Sequence, residues 1–162
     1  MLQHDKMKST FRRKARNIAL QVLYEIDASG HDHQKSFDKM VVQVHLHKFV
    51  IQFASVLTFG VIENLKKIDK IIQSYAYAWP ISQIAYVDRN ILRIAIFELL
   101  HHQETPSKVV INEAIEISKV FGSDNSSKFV NGVLGSVLQL MSEYKKSDKN
   151  SIKLEAVDVN ST

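Results

Sequence analysis

The cations best placed for chemistry sit at one end of the chain. Lys6, Lys8, Arg12, Arg13, Lys14 and Arg16 fall within the first 16 residues against a single acid, Asp5, a local net charge of +5 in a chain whose total is +4. Everything after Arg16 therefore sums to −1. Charge gathered in one segment suits a polyanion, and each phosphate neutralised by such a side chain makes binding fall with salt. A second group lies further along, where Phe121 and the pair Lys128-Phe129 bracket a six-residue hinge. Rings beside a positively charged helix entrance can stack unpaired bases while backbone N–H groups meet phosphate. The alternative is that both phenylalanines close a core around the turn.

Catalytic chemistry finds little support. There is no cysteine for a thiolate, no glycine-rich phosphate loop and no strand-turn-helix setting for a nucleophile. The histidines come in pairs, His31 and His33, His45 and His47, His101 and His102, and none has the i, i+4 spacing plus glutamate of a helical zinc site. No metal site, no cofactor and no enzymatic activity are expected. Glu113 and Glu116, with Lys119 three residues on, read as a solvated face rather than a carboxylate pair. Arg93 interrupts the apolar run "ILRIAIF", so it must either pair with a carboxylate inside, the favoured reading, or reach the surface where it could contact RNA, with Arg89 on the same side one turn earlier. Asp88 suits the first turn of its helix through the dipole.

The elements that must position these groups read as helices. Two prolines and five glycines in 162 residues leave too few turns for an all-β fold. A first helix is expected from Thr10 to Ala28, ending near Gly30, with Ala15, Ile18, Ala19, Val22, Leu23 and Ile26 inward and Arg13, Asn17, Leu20 and Tyr24 outward. A short helix near 37–45, a longer one from His47 to Lys66 and another over "KIDKIIQSYAYA" follow, before the break at Trp79-Pro80. "DRNILRIAIFELLHH" is apolar nearly all round and should be a central buried helix. "KVVINEAIEISKVF", stopped by Gly122, and the helix that Ser126 and Ser127 can cap complete the set. The reading is one all-α domain over 1–144, with subdomains at about 10–78 and 82–144, two packed antiparallel helical bundles and about seven helices. Residues 145–162 are polar and read as a disordered tail. Gly132 and Gly135, each costing about 1 kcal/mol mid-helix relative to alanine, are expected to let a neighbouring helix approach. No apolar run reaches membrane-span length and no signal core with a cleavage site is present, so a soluble cytoplasmic protein is expected.

Four blocks then carry a likeness: "RRKARNIALQVLYEID" at 12–27, "VDRNILRIAIFEL" at 87–99, "INEAIEISKVFG" at 111–122 and "SSKFVNGVL" at 126–134. In order and spacing they resemble the NusB family of bacterial transcription antitermination factors over about residues 11–140. The resemblance implies a NusB-like all-α, non-enzymatic protein that binds the boxA element of ribosomal RNA leader transcripts together with the ribosomal protein NusE. That complex is delivered to the RNA polymerase elongation complex with other Nus factors. It also implies that Arg12, Arg13, Lys14 and Arg16 are the RNA-contacting arginine-rich segment and that Phe121 and Phe129 match aromatic positions for RNA contact; Lys128, at the same helix entrance as Phe129, is expected to face RNA with it. Tyr24 and Asp88 match positions for NusE, Asp88 where the family commonly has glutamate. The sequence departs at Gly135, where the family often has aspartate, and at Asn125, where some members carry an acid. The oligomeric state stays open between monomer and homodimer. Two other readings stand beside this one: a free-standing RNA-binding module working with a ribosomal RNA methyltransferase, and a helical protein–protein adaptor.

Overall fold

A computed structural model describes residues 2–43, 45–102 and 104–158, with side chains described over 6–143 apart from positions 44 and 103. It contains seven α-helices: α1 (Leu2–Ser29), α2 (His33–Val42), α3 (Lys48–Glu63), α4 (Leu65–Tyr75), α5 (Tyr86–His101), α6 (Ser107–Phe121) and α7 (Ser126–Asp158). A 3-10 turn over Ile81–Gln83 leads into α5, and no strand occurs among the described residues. The all-α reading holds.

Local chemistry sets the breaks. α1 ends at Gly30, whose φ of 68° is open to glycine and strained for other residues. Asp32 caps α2 by accepting the Lys35 N–H, and His47 caps α3 through the Phe49 N–H. α3 and α4 meet at Asn64 with a bend of 77°. No single described helix is long and apolar enough to cross a membrane. The Trp79-Pro80 turn is clasped by one side chain: Gln73 Nε2 donates to the Trp79 carbonyl, and Gln73 Oε1 accepts the Ile81 N–H.

α5 is the central helix, buried continuously from Asp88 to Leu99. Around it α1, α3, α4, α6 and α7 build the larger core, including Leu20, Leu57, Ile72, Leu92, Ile96, Val110 and Leu134. Burying a leucine of this kind is worth about 1.5–3 kcal/mol. A smaller core joins Ala15, Ile18 and Val22 of α1 to Phe37 of α2 and Val50 and Ala54 of α3. The cores do not divide at residues 78–82, because α4 packs into the larger core with α5 and α7 while α1 and α3 serve both.

Three expectations change. Leu20 is 3% exposed rather than outward, because α1 is covered by α3 on one side and α5 on another, which widens its buried stripe. Gly132 and Gly135 are exposed, and a Cβ at either meets nothing, so neither admits a neighbouring helix. The close approach is at Gly60 instead, where a Cβ would run into the Phe97 ring. Ser126 does not cap α7 by the expected bond; its hydroxyl accepts the Ser123 N–H at 2.8 Å and holds the α6–α7 turn. The backbone of α7 is helical to Asp158, with no proline or glycine after Gly135 to stop it. Residues 159–162 lie outside the described residues.

Candidate nucleic-acid interface

The basic segment is sorted by the faces of α1. Arg16 points inward and is 3% exposed. Its Nε and Nη2 donate to the two carboxylate oxygens of Glu98 on α5 at 2.7 and 2.8 Å. Glu98 is itself sealed off, and the Glu113 carboxylate stands 3.7 Å from Arg16 on the other side. A guanidinium so enclosed is not available to RNA, so the expected RNA role of Arg16 is replaced by a structural one: its place one turn before Leu20 turns it toward α5.

Arg13 grips Glu113 of α6 with Nε and Nη2 at 2.8 and 2.6 Å, yet half of its side chain stays exposed. The hydrogen bond from Arg13 holds the Glu113 carboxyl below its ordinary range against the opposing effect of burial. Glu113 is thus a buried clamp and not part of a solvated face, because the Arg13 and Arg16 side chains reach it from α1. Arg12 donates to Thr105 Oγ1 at 3.0 Å and comes within 3.5 Å of Glu104, while its Nε has no hydrogen-bond partner. Lys14 is exposed with no ion-pair partner among the described residues. Lys8, Ser9 and Arg12 face Glu104, Thr105 and Pro106 across an open cleft of about 410 Å³.

The aromatic group sits at the other end of α6. Phe121 is 38% exposed beside the exposed Val120, Lys128 is exposed, and Phe129 is half-buried with one side against the larger core. For Phe129 the two readings therefore combine: the ring closes the core and still borders solvent. From Glu113, which Arg13 grips, to Phe121 is eight residues, about 12 Å along a helix. α6 thus links the two groups, which stand at successive levels along it rather than in contact.

Tyr24 and Asp88 come together where α1 ends and α5 begins. Tyr24, 43% exposed, meets Tyr86 edge-to-face with ring centroids 5.9 Å apart. The Arg89 guanidinium stacks 4.5 Å from the Tyr86 ring. Asp88 is 9% exposed, and its Oδ1 finds no hydrogen-bond partner among the described residues. Beneath them Asp27 Oδ2 accepts from Arg89 Nε at 2.6 Å, Arg93 Nη1 at 2.9 Å and Asn90 Nδ2 at 2.9 Å. Burial pushes the Asp27 carboxyl up, but the two arginines outweigh it and hold it below its usual range. Arg93 also takes both oxygens of Asp69 at 2.7 and 2.8 Å, the pairing its place in an apolar run demands. Sequence reading missed Glu98 and Tyr86 as partners. An acid inside the apolar run "RIAIFELL" was the available signal for Glu98. Among the described residues no three His, Asp or Glu side chains gather as a metal site.

A helical scaffold with Arg16, Arg89 and Arg93 locked in ion pairs, and with cations and rings left on its surface, defines an all-α binding protein. The NusB family model matches residues 13–139. This chain belongs to the NusB family. It is 41% identical over 138 residues to the transcription antitermination protein NusB of Dehalococcoides mccartyi, covering 85% of this chain and 96% of that one. T. maritima NusB superposes with a TM-score of 0.74 at 34% identity, covering 79% of this chain and 90% of that structure. A crystal structure of the antitermination factors NusB and NusE in complex with double-stranded RNA superposes with a TM-score of 0.75 at 27% identity, over 81% and 98% of the two chains.

Proposed function

We propose that this chain is a cytoplasmic, non-enzymatic transcription antitermination factor that binds boxA RNA of ribosomal leader transcripts together with NusE and joins the elongating RNA polymerase with other Nus factors. One observation carries the reading. α6 links the cations of α1 to the rings at the α6–α7 turn, with Arg13 clamped to Glu113 and Phe121 two turns further on. Family membership supports RNA as the ligand of that surface: a relative of the same fold is seen in complex with NusE and double-stranded RNA.

Within that surface Lys14 and the exposed part of Arg13 meet phosphate, Arg12 contacts it from the neighbouring cleft, and Phe121, Lys128 and Phe129 hold unpaired bases and their backbone. Tyr24 and Asp88 form the NusE contact, where the unpaired Asp88 Oδ1 accepts a hydrogen bond from the partner. Titrating the full chain with a boxA-like RNA and with a scrambled RNA, in the presence and absence of NusE, tests this reading. Tighter binding of the boxA-like RNA, strengthened by NusE, is expected. Equal affinity for both RNAs in both conditions removes the antitermination role.

A further inference from the structure

Gly132 poses a question that packing does not answer. It sits inside α7, where glycine is a poor helix former, and no neighbouring atom needs the space a Cβ would take. What it does border is a second open cleft, of about 550 Å³, between the Tyr75–Trp79 turn and the first turns of α7. Asn125, Lys128, Phe129 and Val133 line it from the α7 side, and Tyr77 and Trp79 from the turn that forms its rim. Tyr77 is 81% exposed and Trp79 57% exposed, far more than large rings held only for packing. Among the described residues none of the rings of Tyr77, Trp79 and Phe129 stacks on another ring; Tyr77 and Trp79 stand largely in solvent, while Phe129 has one side against the core and the other bordering the cleft. The rim is nevertheless held in place, since Gln73 clasps the turn from both sides of Pro80.

We propose that this cleft is a nucleotide pocket that receives one unstacked base of single-stranded RNA. The base lies between the Trp79 side and the Phe129 side, Lys128 meets its phosphate, and Gly132 keeps the opening clear. The inference rests on the RNA-binding reading above and extends it to a turn, Tyr75–Trp79, that no cation of the basic segment touches. Free aromatic faces accept any base, and an adjacent ammonium selects a phosphate-bearing ligand over a neutral apolar one.

Trp79 is the sole tryptophan of the chain, so its fluorescence reports on this cleft alone. The test titrates the full chain with a boxA-like single-stranded RNA, following Trp79 emission and RNA anisotropy together, for the natural sequence and for Gly132→Leu. Because nothing surrounds the Gly132 Cβ position, Gly132→Leu should keep or raise the melting temperature while filling the cleft. The expected result is quenching of Trp79 on RNA addition, lost in Gly132→Leu with affinity reduced roughly 5- to 100-fold. The same RNA annealed into a duplex should leave Trp79 emission unchanged. Should RNA bind by anisotropy with Trp79 emission unmoved and Gly132→Leu unimpaired, the pocket is refuted while RNA binding stands. RNA failing to bind at all refutes the underlying function as well. Quenching produced by NusE alone assigns the cleft to a protein and overturns the proposal.

Discussion

Arg16 and Glu98 face one another across the α1–α5 contact with two hydrogen bonds of 2.7 and 2.8 Å, both side chains almost completely out of solvent. A cation from the most basic stretch of the chain is therefore an internal tie. Removing one member of such a pair leaves the other charged and buried, which costs about 3–5 kcal/mol. Arg16→Ala should lower stability by that amount in chemical denaturation, without any RNA present. Its loss of RNA affinity should follow the loss of folded protein and disappear at temperatures where both proteins are folded.

Lys14 behaves in the opposite way. It is exposed and without an ion-pair partner among the described residues, so Lys14→Ala should leave the melting temperature unchanged. RNA affinity measured from low to moderate salt should weaken, and the slope of log K against log salt should shrink by about 0.7, the value for one phosphate contact on a single strand.

Gly60 is the glycine whose hydrogen side chain the fold requires. A Cβ there collides with the Phe97 ring, which lies in the larger core. Gly60→Ala should destabilise by about 1–3 kcal/mol, the usual range for overpacking, whereas Gly135→Ala, in open space, should stabilise by about 1 kcal/mol through helix propensity. Thermal melts of the two variants should shift in opposite directions.

Acid should weaken the fold through two carboxyls. Asp27 and Glu113 are both held below their ordinary values of 3.8 and 4.5, Asp27 by Arg89 and Arg93 against its burial and Glu113 by Arg13. The unfolded chain therefore binds more protons than the folded one in this range, so their contribution is complete at neutral pH and drains away as pH falls below about 4.5. Denaturation midpoints measured from pH 7 to pH 3 should fall, and Asp27→Asn should flatten part of that fall.

Tyr24 and Asp88 carry the prediction for the protein partner. Asp88→Ala removes a carboxylate whose Oδ1 has no hydrogen-bond partner within the described chain, so stability should change little. Affinity for NusE should drop about tenfold, as should that of Tyr24→Ala, both within the range of a single interface anchor. Calorimetry with purified NusE reads both.

Helix type and order were legible because the apolar period is strong: the run from Asp88 to Leu99 declares a central helix whatever packs on it. The faces of α1 were not. A wheel drawn for one buried stripe puts Leu20 outside, and only the second covering helix brings it in. The same limit hid which arginine was free. Arg12, Arg13, Lys14 and Arg16 differ little in sequence, and their fates depend on Glu98, Glu104, Thr105 and Glu113, all more than eighty residues away. Gly132 misled for a related reason, since a mid-helix glycine marks either a close neighbour or a deliberate opening, and the sequence holds no sign of which.

An amide NMR titration of the full chain with one boxA-like single-stranded RNA at equal stoichiometry tests the central claim most directly. The account predicts that a single RNA shifts resonances both in α1 around Arg12–Lys14 and in the α6–α7 segment around Phe121 and Lys128-Phe129, saturating together at one RNA per chain. Saturation of one group while the other stays unmoved would show that these cations and rings do not form one RNA surface.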